Sequence, residues 1–113
     1  MKIKVGQWVR TDTNKIFEVY FYNERANLVC AQCGGYRIDE ITKVADTPQE
    51  LIQVGDLVED INGTKFNVDD ISHNMLYDKR EDYYAPRDII KILTPNGKDY
   101  ICQWEKDIEE EVK

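Results

Sequence analysis

The chain is poor in the residues that do chemistry. It has one histidine, His73, and no serine or cysteine pairs with it in a recognisable nucleophile motif. No glycine-rich phosphate loop occurs, and the carboxylates fall where strands end and turns begin, so a non-enzymatic protein is expected. No apolar run approaches the roughly 20 residues that a membrane helix needs, and Lys2 and Lys4 are not followed by the apolar core of a signal sequence. A cytoplasmic protein without a membrane partner is the expectation. Basic clusters are missing beyond Lys79-Arg80, which disfavours direct binding of DNA or RNA, because phosphate neutralisation dominates that affinity.

What is present suits a folded domain. The 113 residues are 42% hydrophobic and 33% charged, with seven tyrosines, three phenylalanines and two tryptophans, too aromatic for a disordered chain. The net charge is −7, and it is lopsided. Residues 1–53 carry seven basic and seven acidic side chains, whereas residues 54–113 carry eight basic and fifteen acidic ones. An acidic second half accommodates a basic partner.

Residues 5–19, Val-Gly-Gln-Trp-Val-Arg-Thr-Asp-Thr-Asn-Lys-Ile-Phe-Glu-Val, return without a gap at 54–68 as Val-Gly-Asp-Leu-Val-Glu-Asp-Ile-Asn-Gly-Thr-Lys-Phe-Asn-Val. Five positions are identical, and Asn14/Gly63 exchanges two residues that tolerate a left-handed backbone. Each copy opens with a glycine turn and alternates as strands do. Asn62-Gly63 predicts a type I′ hairpin, with Thr13-Asn14 in its place in the first copy. Around it Phe17, Val19 and Phe21 fall on one face and Ile16, Tyr20 and Tyr22 on the other, which predicts a strand buried on both sides. Third strands are expected near 26–31 and 74–77. The segments 37–44 and 86–92 predict a 3₁₀ turn capped by Asp39 or Asp88 and leading into a last strand. Thr47-Pro48 predicts one helical turn in the join, and 99–104 reads as a closing strand.

The fold expected is therefore all-β: two tandem SH3-like small barrels packed together, with short 3₁₀ turns and an acidic C-terminal tail. The boundaries are 1–46 for the first repeat, 47–53 for the linker turn, 54–104 for the second repeat and 105–113 for the tail.

Three groups of residues are candidates for a site. Cys30 and Cys33 surround a turn as one zinc knuckle would, and His73 with Cys102 would complete a Cys₃His set. The isolated spacing favours free thiols and no cofactor, with zinc as an alternative. Trp8, Tyr20 and Tyr22, with Tyr83 and Tyr84 at the end of the polar loop 78–84, either fill the core or form a binding surface for peptide or nucleic acid. Asp56, Glu59, Asp60, Asp69 and Asp70 form the third group, an acidic surface for a basic partner.

Residues 50–58, Glu-Leu-Ile-Gln-Val-Gly-Asp-Leu-Val, and 89–94, Ile-Ile-Lys-Ile-Leu-Thr, after an opening of Ile-Lys-Val-Gly-Gln-Trp-Val-Arg-Thr at 3–11, resemble small proteins encoded by phages and prophages of Gram-positive bacteria. The resemblance implies a phage setting in the bacterial host cytoplasm and transfers no site residues. Joined to the charge asymmetry, it leads to the expectation of a binding protein that inhibits a host defence system in the manner of an anti-CRISPR. Its acidic surface would imitate DNA toward a basic nucleic-acid-binding host protein. An SH3-like adaptor using the aromatic residues of the first repeat, and a zinc-stabilised structural protein, are the alternatives.

Overall fold

The computed structural model describes residues 2–32 and 34–106. Cys33 and residues 107–113 of the expected acidic tail lie outside them. The chain divides into two compact units between Ile52 and Gln53. Among the described residues no helix is long and apolar enough to cross a membrane.

The first unit contains β1 (Trp8–Thr11), β2 (Ile16–Glu18), β3 (Phe21–Asn23), β4 (Leu28–Ala31), β5 (Gly34–Arg37), a 3₁₀ turn at Ile38–Glu40, β6 (Ile41–Ala45) and a second 3₁₀ turn at Pro48–Leu51. These form two antiparallel sheets of three strands, β2-β1-β6 and β3-β4-β5. The second unit contains β7 (Leu57–Asp60), β8 (Lys65–Asn67), β9 (Asp70–Ser72), β10 (Met75–Tyr77), β11 (Tyr83–Tyr84), a 3₁₀ turn at Pro86–Asp88, β12 (Ile89–Asn96) and β13 (Asp99–Glu105). Its sheets are β13-β12-β7-β8 and β11-β10-β9. The protein is mostly β, and none of the four sheets closes into a barrel.

A bend repeated in both units passes one segment from the first sheet to the second. Val19 donates its amide to Gln7, just before β1 of the first sheet (2.7 Å), and the next residue, Tyr20, donates to Cys30 of the second (2.8 Å). Val68 donates to Asp56 (2.9 Å) and Asp69 to Tyr77 (2.8 Å). One extended segment thus serves two sheets. The bend also shifts the inward-facing phase, so Ile16 and Val19 are buried while Tyr20 and Phe21 are exposed. The strand expected to be buried on both sides is so only in β2, where Ile16 is buried and the next residue, Phe17, packs on the core; past the bend Tyr20 and Phe21 face outward.

Other bonds repeat as well. Gly6, at φ 95°, donates to Val19, and Gly55, at φ 101°, donates to Val68, both at 2.9 Å. That backbone region is open to glycine and costly for other residues. The ladder β1–β6 skips Thr42 between the pairs Arg10/Lys43 and Thr11/Ile41, and β7–β12 skips Ile90 between Glu59/Lys91 and Asp60/Ile89. A shared bulge at the same place is a feature of register, not of composition.

Neither hairpin turn is type I′. Asn14 (φ 67°) and Gly63 (φ 85°) are left-handed, but Thr13 and Asn62 are not. Each turn is instead a type I turn followed by one left-handed residue. A side-chain oxygen at the first position drives this choice. Asp60 Oδ1 accepts the amides of Asn62 (3.0 Å) and Thr64 (2.9 Å), as Thr11 Oγ1 accepts those of Thr13 (3.3 Å) and Lys15 (3.0 Å). A local side-chain acceptor competes effectively with other backbone arrangements here.

The core of the first unit is Ile3, Val9, Val19, Val29 and Ile41, with Phe17, Tyr22, Tyr36, Ile38 and Val44 packed on it. The second unit buries Val58, Phe66, Val68, Leu76, Ile89 and Ile92 at the corresponding ladder positions. Each fully buried aliphatic side chain contributes about 1.5–3 kcal/mol by leaving water. The turn at Pro48–Leu51 belongs to the first unit. Leu51 is buried, and the buried Arg10 donates to its carbonyl at 3.0 Å and to Asn14 Oδ1 at 3.0 Å. Thr47 is the N-cap of this turn in a capping box with Glu50, which accepts the Thr47 amide at 3.2 Å and its hydroxyl at 3.0 Å. At the earlier 3₁₀ turn the cap is Glu40 on the Arg37 amide (2.7 Å), not Asp39.

Candidate functional site

The bend after β2 and the glycine turn before β1 frame a groove of about 600 Å³ in the first unit. It is lined by Phe17, whose ring stacks on Tyr36 at 4.8 Å and 21°. Val5, Trp8 and Tyr20 line it too, with Ala31 at the end of β4. The Gly6 turn, held by the Lys4 backbone amide donating to Gln7 Oε1 (2.9 Å), leaves Val5 64% exposed. Tyr20 is 63% exposed because the backbone turns over at that residue. Glu18 is the one charged side chain lining the groove.

The structure therefore brings Trp8 and Tyr20 together. Tyr22 is separate, half-buried against the core of the unit. Val5, Phe17, Glu18 and Ala31 were not legible as site residues in the sequence. The signal that exposes them is the comparison of copies, because Tyr20 corresponds to Asp69, Glu18 to Asn67 and Ala31 to Asp78.

That substitution changes the second unit. Around Phe66 lies a smaller cavity of about 230 Å³, lined also by Asn67, Asp78, Lys79 and Arg80. Asp78 is buried, and its Oδ1 accepts the amides of Arg80 (2.8 Å) and Asp82 (3.1 Å). The 78–84 loop is thus tied to its own first residue. It separates its two tyrosines. Tyr83 is 68% exposed, whereas Tyr84 stacks on Phe66 with centroids 4.0 Å apart. Burial first, and then the charges of Asp78 and Asp82, raise the Tyr84 phenol above its ordinary value, with Arg80 opposing.

The expected acidic surface needs correction. Asp56 is fully buried and Asp60 is 4% exposed. Asp56 Oδ2 accepts the Gln53 amide at 2.9 Å, and Asp60 organises its hairpin, so both carboxylates face backbone donors rather than solvent. Glu59 is half-buried, with Lys65 across one ladder and Lys91 across the other. Only Asp69 and Asp70 are exposed, and they line a cavity of about 310 Å³ with Tyr77, Asp78 and Glu81.

Among the described residues no three His, Cys, Asp or Glu side chains are placed to hold a metal ion. Cys30 lies in β4, opposite Gly35, in the first unit. His73 and Cys102 belong to the second, where Ser72 Oγ lies 2.9 Å from His73 Nδ1 and Cys102 lies in β13. Comparison with protein-family models, curated proteins and solved structures gives no match.

Proposed function

We propose that the protein is a non-enzymatic binding module of two SH3-like repeats, and that the groove of the first repeat takes an extended peptide with apolar side chains and one basic residue. The order of strands, the 3₁₀ turn before the last strand and the transfer of one segment between two sheets support the SH3-like reading. The observation that carries the functional reading is the groove itself, which Val5, Trp8, Phe17 and Tyr20 line together with one charged side chain, Glu18. Apolar walls take alternate side chains of an extended chain, and flat rings do so with little loss of side-chain entropy. Glu18 attracts an ammonium or guanidinium and repels phosphate, which favours peptide over nucleic acid.

The test is an array of short peptides, apolar with one Arg, probed with the full chain. Trp8→Ala and Tyr20→Ala should each abolish capture while leaving the circular dichroism spectrum unchanged. Capture unaffected by both substitutions would refute the groove reading, as would preferential capture of single-stranded DNA.

A second reading retains the acidic second unit. Exposed Asp69, Asp70 and Glu81 around one cavity favour contact with a basic surface, as in an inhibitor that occupies the nucleic-acid channel of a host defence protein. Inhibition by such contacts must weaken with salt and with Asp69→Lys plus Asp70→Lys.

A further inference from the structure

The two units differ most at one sheet edge. In the second, β12 is an inner strand, because β13 pairs along its outer side; in the first, the corresponding strand β6 is the edge of its sheet. The correspondence is fixed residue by residue through the shared bulge: Thr42, Lys43, Val44 and Ala45 stand where Ile90, Lys91, Ile92 and Leu93 stand in the other copy. We propose that β6 is a docking edge for a partner protein's extended strand, added antiparallel along residues 42–45 as β13 is added to β12.

The occupied copy tells what such a strand must carry. Glu105 faces Lys91, Trp104 faces Ile92, Cys102 faces Leu93, and the Lys106 amide donates to the Ile90 carbonyl at 2.8 Å. Lysine is kept at the equivalent place on the open edge, as Lys43, and it is exposed. An edge lysine ordinarily guards against pairing, because its charge meets whatever strand arrives. A carboxylate directly across the ladder turns that guard into a recognition element, since opposite charges on paired strands stabilise and like charges destabilise. The half-buried Val44 and Ala45 leave apolar surface for the next two side chains. The partner segment is therefore acidic at one position, aromatic or bulky and apolar at the neighbouring one, and small and apolar beyond it. Main-chain bonds supply much of the affinity in this mode, and alternate side chains supply the selection. Residues 42–45 do not line the Trp8 groove, although Ala45 pairs with Trp8 across the ladder, and the edge stands without the groove reading.

The probe is a synthetic peptide with the sequence of residues 98–106, its cysteine replaced by serine, added to the full chain while amide hydrogen exchange is followed by NMR. Exchange of amides within 42–45 should slow about tenfold at saturation, as expected when an open edge becomes an inner strand. Lys43→Glu should remove the effect, and a peptide with lysine in place of its glutamate should restore it on that variant. The proposal is overturned if millimolar peptide leaves these amides unchanged, if protection falls on β12 instead, or if Lys43→Glu has no influence. It is equally overturned if the peptide-free protein acquires the same protection as its own concentration rises, since the occupant would then be a second copy.

Discussion

Phe66 lies flat on Tyr84, ring centroids 4.0 Å apart and planes 20° apart, and the hydroxyl of that same tyrosine reaches Asp78 Oδ2 at 3.4 Å. The contact joins the hairpin strand β8 to the end of the 78–84 loop. Tyr84 is thus held in its neutral form by burial and by the carboxylates around it. A folded-state value above the ordinary 10.0 means that the folded protein keeps a proton that the unfolded chain gives up. The associated stability is complete below the unfolded value and is lost as pH rises through the folded one. Urea unfolding followed between about pH 8 and pH 11 should show falling stability that is smaller in Tyr84→Phe. An equal alkaline loss in both proteins would contradict this.

The turn built on Asp60 occurs three times, on Thr11, Asp60 and Asp78, each accepting amides two and four residues ahead. Asp60→Ala leaves two backbone donors without their acceptor and should cost about 2 kcal/mol by urea titration, with Asp60→Asn costing less. Thr11→Ala should cost about 1 kcal/mol, because the lost acceptor is neutral.

The third of these turns holds a misfit. Its left-handed position, filled by Asn14 and Gly63 in the hairpins, is Glu81 at φ 67°. Glutamate carries a steric cost there that glycine lacks, so Glu81→Gly should raise stability by roughly 1 kcal/mol despite the added freedom of the unfolded chain. Thermal unfolding measures it directly, and a lower melting temperature would show that Glu81 contributes something beyond the turn.

In the groove, charge should determine affinity for the basic position of a bound peptide. Glu18→Lys is expected to weaken an arginine-containing peptide about tenfold and to leave a neutral analogue within about twofold. Fluorescence anisotropy with the two peptides separates these effects. Equal weakening of both would mean that Glu18 matters for packing only.

Much of the architecture was legible because backbone demands leave marks in the chain. Gly6 and Gly55, Asn14 and Gly63, and the matched run of valines placed the repeat and its turns. The helical turn after Thr47 was legible from Pro48 for the same reason. The turn type was not, since it depends on whether Asp60 points its carboxylate at its own loop, and Asn62-Gly63 alone favours the other geometry. The bend at Val19 and Tyr20 also escaped, because strict alternation predicts inside and outside only while a strand stays in one sheet. Aspartates at turns looked like surface charge, although Asp56 and Asp60 are buried and serve backbone amides of their own turns. Of the aromatic candidates, Trp8 and Tyr20 share the groove and Tyr22 does not, a distinction set by the bend alone.

The two units repeat one hydrogen-bonding plan, and NMR scalar couplings across hydrogen bonds read that plan directly. Couplings should connect the Gly6 amide to the Val19 carbonyl and the Gly55 amide to that of Val68, and likewise Tyr20 to Cys30 and Asp69 to Tyr77. Finding each pair in both units agrees with a duplicated fold. Finding either pair in one unit and not in the other would contradict it.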